Sequence, residues 1–289
     1  MISNDSIEFL KNIDPLVALN KIKNFRTLNI REMTEAEIFK AVHDTLCHNG
    51  RFTYFTNNAE YPEGTVFYRV RCLKGSKIPF SELESISGFW EPPTQFVTKR
   101  QRLNKVGESL LYVTPGDPVV PTRELHIQEN TYYALIKYVA VKPVKVNIIG
   151  GQYNYEQLGI HDERAILIHE LYNNFLKDEF SRDVAPGLEY LYTVSEMIAK
   201  SYFDLPPRIV QDAWAYSSVQ DKSKYNVCFR PEIAHEILKL EGAAICKKKD
   251  DQIQAYCIAV DLDGTGNIQY IQMNTDLQRE RFPEFTSEQ

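Results

Sequence analysis

The order of elements legible in this 289-residue chain predicts an α+β fold built on a mixed sheet. Three observations predict it. Apolar residues at helical spacing fill the first stretch, runs of β-branched and aromatic residues dominate the middle, and two further helical patterns separate those runs from later strand-like ones.

In chain order, Ile7, Leu10 and Ile13 recur at helical spacing, and Thr34 with Glu37 three positions on forms a capping-box pattern ahead of Ile38, Val42 and Leu46. Asn49-Gly50 is a natural stop for that helix. The stretches 65–72, 109–114 and 132–149 have strand composition, the last interrupted near Pro143. Ile168, Leu171 and Phe175 share a face of one helix, and Leu191, Val194, Ile198 and Tyr202 a face of another. Strands resume at 213–219 and 226–229, and a short helix over 233–240 and a hairpin around Asp263-Gly264 follow. Lys247 to Lys249, with Asp250 and Asp251, form a solvated turn in this reading. The expected organisation is an N-terminal helical extension, 1–60, a catalytic core, 61–230, and a C-terminal extension packed on that core, 231–289.

The chain is 43% hydrophobic and 25% charged, ordinary for a globular protein with a sizeable core. Five scattered cysteines, an odd number with no C-x-x-C pair, are read as reduced thiols in a cytoplasmic protein. A net charge of -6 argues against a phosphate-binding nucleic-acid surface. No stretch reaches the roughly 18 apolar residues of a membrane span, and the N-terminal residues lack a basic segment followed by an apolar one, so neither a membrane partner nor secretion is expected.

Chemistry-bearing residues concentrate in three blocks. Arg69 and Arg71 lie two apart on the strand Phe67 to Arg71, hence on one face, and Arg102 follows in a turn-rich segment. Guanidinium forks suit the oxygens of a pyrophosphate-bearing ligand, and equally suit surface salt bridges. Glu124 follows the Pro121-Thr122-Arg123 turn and is either a helix-start glutamate or a carboxylate that stabilises positive charge on an anomeric carbon. Ser218, in Tyr216-Ser217-Ser218-Val219, stands at a strand end without a G-x-S-x-G elbow, so it suits ligand hydrogen bonding better than acyl transfer. Tyr68 and Tyr112 are candidates to stack on a ring, or core aromatics. Two decoys fail. Asp261 to Gly266 resembles the start of a calcium loop but leads to Gln272 where a glutamate is required, and His169-Glu170 lacks a second histidine because Asn173 stands there, so no metal site is expected.

These residues together resemble the RES domain, a bacterial family named for its Arg, Glu and Ser that supplies the toxin of some toxin-antitoxin pairs. An aromatic-Arg element matches Tyr68-Arg69, a Gly-Arg-aromatic-Asn element matches Gln101-Arg102-Leu103-Asn104, a Leu-Tyr strand ahead of the glutamate matches Leu111-Tyr112 and Glu124, and a Tyr-Pro-Ser-Val element matches Tyr216-Ser217-Ser218-Val219. Gln101, Leu103 and Ser217 depart from the pattern.

The resemblance implies an ADP-ribosyltransferase-like fold and an enzyme that consumes NAD as substrate, with no permanently bound cofactor, breaking the nicotinamide-ribose bond by hydrolysis or phosphorolysis. It implies a toxin with an antitoxin protein as partner. Glu124, Arg69 and Ser218 would be catalytic, and Arg69, Arg102, Tyr112, Asn104 and Tyr216 would bind NAD. Transfer of ADP-ribose to a macromolecule, and a non-catalytic interaction protein on the same scaffold, are the alternatives.

Overall fold

The computed structural model describes residues 2–205, 210–250 and 252–285. Its helices are α1 (Asn4–Lys11), α2 (Pro15–Arg26), α3 (Glu35–Leu46), α4 (Val120–Glu124), α5 (Glu163–Ser181), α6 (Tyr192–Tyr202), α7 (Pro231–Ile237) and α8 (Asp276–Arg281). Its strands are β1 (Cys47–His48), β2 (Arg51–Phe52), β3 (Asn58–Tyr61), β4 (Val66–Cys72), β5 (Leu111–Pro115), β6 (Tyr132–Ala140), β7 (Val144–Ile149), β8 (Ala213–Ser217), β9 (Tyr225–Phe229), β10 (Leu238–Lys249), β11 (Gln252–Asp261) and β12 (Ile268–Gln272). The chain is α+β, and its strands pair in both antiparallel and parallel senses. Among the described residues no helix is long and apolar enough to cross a membrane.

Two compact units divide the chain. The first takes 1–59, 97–108 and 145–223; the second takes 60–96, 109–144 and 224–289. The 231–289 segment is integral to the second unit, because β10 pairs along the whole of β6.

In the first unit, α5 is the central helix, burying Ile168, Tyr172, Phe175 and Phe180, with α1, α2, α6 and the parallel pair β7–β8 packed around it. Phe25 of α2 meets the Phe175 ring edge-on, with centroids 5.1 Å apart. Burying such rings stabilises the unit by roughly 2 kcal/mol each. The α3 capping box forms as its sequence predicts: Thr34 accepts from the Glu37 N–H, and Glu37 accepts from that of Thr34. Asn49-Gly50, however, closes the β1–β2 hairpin. Both residues have positive φ, 49° and 76°, the conformation a two-residue hairpin turn requires.

In the second unit the strands run in the order β12–β11–β10–β6–β4–β5–β9, with the antiparallel ladders aligning side chains from distant parts of the sequence. Two sequence expectations change here. The helix expected over 233–240 ends at Ile237, and the lysine-rich stretch 247–249 is the end of β10, not a turn. Asp250, at φ 51°, makes the turn, and Asp251 lies outside the described residues. One face of this sheet carries a core of Tyr68, Val70, Tyr133, Leu135, Ile258 and Phe282.

Candidate functional site

A single row of polar side chains crosses that same face of the second unit. In the ladders Tyr68 is paired with Lys137 on one side and with Thr114 on the other. Directly paired residues point to the same face of a sheet, so all three side chains do. The Thr114 hydroxyl donates to Asn226 Oδ1 at 2.9 Å, which adds β9 to the row. The Asn226 amide Nδ2 then donates to Glu124 Oε1 at 3.1 Å. At the other end, Glu284 accepts from the Tyr68 hydroxyl at 2.9 Å and from Lys137 Nζ at 3.0 Å. A carboxylate therefore stands at each end, Glu284 at Lys137 and Tyr68 and Glu124 at Asn226.

Glu124 is the last residue of the short helix α4, so it is not a helix-start glutamate, and no N-terminal dipole holds its carboxylate. Asn226, 8% exposed and itself held by Thr114, does so instead. Tyr112 lies two positions from Thr114 on β5 and so faces the same way. Burial, followed by the Glu284 charge, pushes the Tyr68 phenol well above its usual range, so it is a neutral hydroxyl donor.

Arg69 and Arg71 alternate with Tyr68 and Val70 on β4 and point to the opposite face. There Arg69 donates to the Trp90 carbonyl and Arg71 to the Gly88 carbonyl. A Cβ at Gly88 would come within 2.1 Å of the Glu82 carbonyl oxygen and 3.3 Å of Arg71 Nη1, so only glycine lets that turn close on the arginine. Burial and the neighbouring Arg69 charge depress the Arg71 pKa. Beside them the Trp90 ring stacks on His235 at 4.2 Å, and His235 Nε2 meets Glu91 at 3.1 Å. The structure thus groups Glu124 with Tyr112 and Tyr68, and sets Arg69 and Arg71 on the other side of the sheet.

The remaining predicted residues belong to the first unit. Arg102, 8% exposed, donates to the carbonyls of Glu179 (3.5 Å) and Arg182 (2.9 Å) at the end of α5, where the backbone carries partial negative charge. Its guanidinium carbon lies 5.2 Å from the Tyr192 ring centroid and 5.7 Å from that of Tyr216. Asn104 is buried and donates to the Lys105 carbonyl at 3.0 Å. Ser218 is fully buried, and its Oγ accepts from the backbone N–H groups of Gln220 and Asp221, both at 3.1 Å. These are the bonds of a hydroxyl-capped turn. Arg102 and Tyr216 lie together around the end of a helix. Two open clefts of this unit, of about 540 and 460 Å³, are lined by other residues, including Lys21 and Cys47 in one and Phe39 and Lys200 in the other.

No protein-family model matches the chain, and no curated protein or solved structure is significantly similar to it. The RES resemblance accordingly rests on the short motifs alone.

Lys137, Thr114, Asn226 and Glu284 carry no mark in the motif reading. Two of them left a signal in the sequence. Lys137 is the one charge in the strand YYALIKYVA, and Asn226 the one amide in YNVCF. A polar residue inside an otherwise apolar strand must find a partner on its own face. Among the described residues no group of three or more His, Cys, Asp or Glu side chains is placed to hold a metal ion.

Proposed function

We propose that the chain is an NAD-consuming enzyme of the RES type that breaks the nicotinamide-ribose bond, with water or phosphate as acceptor. The observation that carries this reading is the Glu124 carboxylate, half-buried and fixed through Asn226 and Thr114 on a sheet face that also presents Tyr112. As the C1′–N bond breaks, its electron pair leaves with nicotinamide, and the ribosyl carbon becomes oxocarbenium-like. A carboxylate held in place at that carbon stabilises the developing charge without having to reorganise. Tyr112 packs against a ring of the substrate. Arg69 and Arg71, on the opposite face, act in this reading as staples for the segment around Trp90, so the phosphate contact assigned to Arg69 by motif falls to another cation. Arg102, Asn104, Tyr216 and Ser218 enter only through the motif match. The biological setting that goes with the reading is a cytoplasmic toxin restrained by an antitoxin protein.

A second reading, an interaction protein without turnover, is favoured by an exposed aromatic strip in the first unit. There Phe39 and Phe52, each nearly half exposed, line up with His43 and Tyr202, with ring centroids 5.4 to 6.4 Å apart.

The test is NAD loss by the purified protein, with and without phosphate, compared with Glu124→Gln. The expected result is a loss of about a thousandfold in turnover in the variant, with an unchanged circular dichroism spectrum. Undiminished NAD loss in Glu124→Gln overturns the assignment. Label from NAD appearing on a macromolecule, with little free ADP-ribose, makes the enzyme a transferase, and no loss in the unmodified chain leaves the interaction protein.

A further inference from the structure

The segment Asp276–Phe285 places a carboxylate where the row would otherwise present a buried cation to a ligand. Lys137 is 7% exposed and Tyr68 5%, and on their face both donate to one partner, Glu284, near the end of the described chain. Lys137 has two further attachments: it donates to the Arg281 carbonyl at 2.8 Å and lies 5.3 Å from the Phe282 ring centroid. Phe282 is fully buried in the face core, and its carbonyl accepts from the Gln278 amide at 2.9 Å, so the segment is anchored at Phe282. Glu284 comes two residues past that anchor. Peeling away 283–285, which also lifts Phe285 from the core it packs against, would expose the Tyr68 hydroxyl and the Lys137 ammonium while Arg281 and Phe282 still held the lysine in place.

We propose that Tyr68 and Lys137 form an anion subsite for the diphosphate of a dinucleotide, and that Glu284 is its built-in occupant, displaced when the ligand binds. This rests on the NAD reading above and supplies the phosphate-binding cation that Arg69 cannot provide on this face. With one ammonium N–H held by the Arg281 carbonyl, the lysine and the phenol leave three donors on this face, well matched to a diphosphate. From Lys137 on β6 to Asn226 on β9 the row crosses three inter-strand spacings, about 14 Å between backbones. A diphosphate at Tyr68 and Lys137 would stand at one end of that row and the reacting ribose toward Glu124 at the other.

The experiment is calorimetric titration of the full chain with inorganic pyrophosphate and with ADP-ribose. Glu284→Gln keeps an acceptor oxygen for Lys137 but removes the competing charge. It is expected to bind pyrophosphate about tenfold more tightly than the unmodified chain, and Lys137→Gln added to it is expected to abolish the gain. If Glu284→Gln loses its melting transition, Glu284→Asp, which retracts the carboxylate by a methylene, takes its place in the same titration. Equal pyrophosphate affinity with and without the substitution overturns the subsite, and so does a gain that survives Lys137→Gln. Measuring NAD loss in parallel separates the two readings. A pyrophosphate gain without Glu124-dependent NAD loss keeps the subsite and discards the NAD chemistry, whereas NAD loss with no pyrophosphate gain does the reverse.

Discussion

Each unit buries a cation, and the two cations are neutralised in different ways. Arg102 is satisfied by two backbone carbonyls, that of Glu179 in the last turn of α5 and that of Arg182 just past it, and by two tyrosine rings. Lys137 divides its donors between the Arg281 carbonyl, at 2.8 Å, and the carboxylate of Glu284, at 3.0 Å, near the end of the described chain. A cation held by backbone alone is part of the scaffold, because nothing can replace its partners without moving the main chain. One held by a side chain at the edge of a fold can exchange that partner for a ligand. Burial therefore does not distinguish a structural cation from a binding one, whereas the identity of the partner does.

The sharpest way to break this comparison is by rescue. Arg102→Met strands the Glu179 and Arg182 carbonyls, and it should cost about 3 kcal/mol in urea unfolding, with no second side-chain substitution able to restore it. Glu284→Met should cost a similar amount, about 3 kcal/mol, by leaving a buried ammonium without its carboxylate. Adding Lys137→Met should return most of that, since an apolar pair of similar volume fits the same site. If the double variant is no more stable than Glu284→Met, Lys137 is as fixed as Arg102 and the contrast fails.

Acid should separate the units next. His169 in α5 is 1% exposed, stacks on Phe55 at 4.5 Å and meets the Tyr155 hydroxyl through Nδ1 at 2.8 Å. Burial pushes its imidazole down to about 4. The folded pKa lies below the ordinary value of about 6.5, so between these values the unfolded chain binds a proton that the fold refuses. The stability this group contributes is complete above about pH 6.5 and is lost as pH falls through that window, about 2 kcal/mol of it by pH 5. The histidines of the second unit, His126 and His235, are exposed. Urea unfolding at pH 7.5 and 5 should show the loss, and His169→Gln should remove it. A variant that stays equally acid-sensitive assigns the effect elsewhere.

What the sequence made legible follows the range of the interactions concerned. The Thr34–Glu37 cap is complete within four residues, and it appears as expected. The strands around Phe67, Leu111 and Val227 announce themselves by composition. The helix expected through Leu240 follows an apolar period that Ile233, Ile237 and Leu240 do supply. The chain leaves it after Ile237 because β10 can pair along β6, with a bulge near Gly242, where φ is 125° and a Cβ would come within 2.6 Å of Val260. The site was less legible for the same reason. Whether Arg69 shares a face with Glu124 depends on register, and a slip of one residue reverses it. Glu284 is 147 residues from the lysine it pairs with, so no local pattern could connect them.

The smallest expected effect tests whether two buried hydroxyls do different jobs. Ser218 accepts from two backbone N–H groups and so builds its own turn, while Thr114 donates to the amide that holds Glu124. Each substitution, Ser218→Ala and Thr114→Val, removes about 1 kcal/mol of hydrogen bonding, so unfolding should scarcely distinguish them. Turnover should. Thr114→Val frees Asn226 to rotate and should lower NAD loss by about tenfold or more, with the KM little changed, since misplacing a group that acts in the transition state reduces kcat. Ser218→Ala should leave turnover within about twofold of the unmodified chain if its hydroxyl only shapes the turn. A larger loss in Ser218→Ala than in Thr114→Val would restore the role that the Arg-Glu-Ser motif gives that serine, and would shift the weight of the site from the polar row to the first unit.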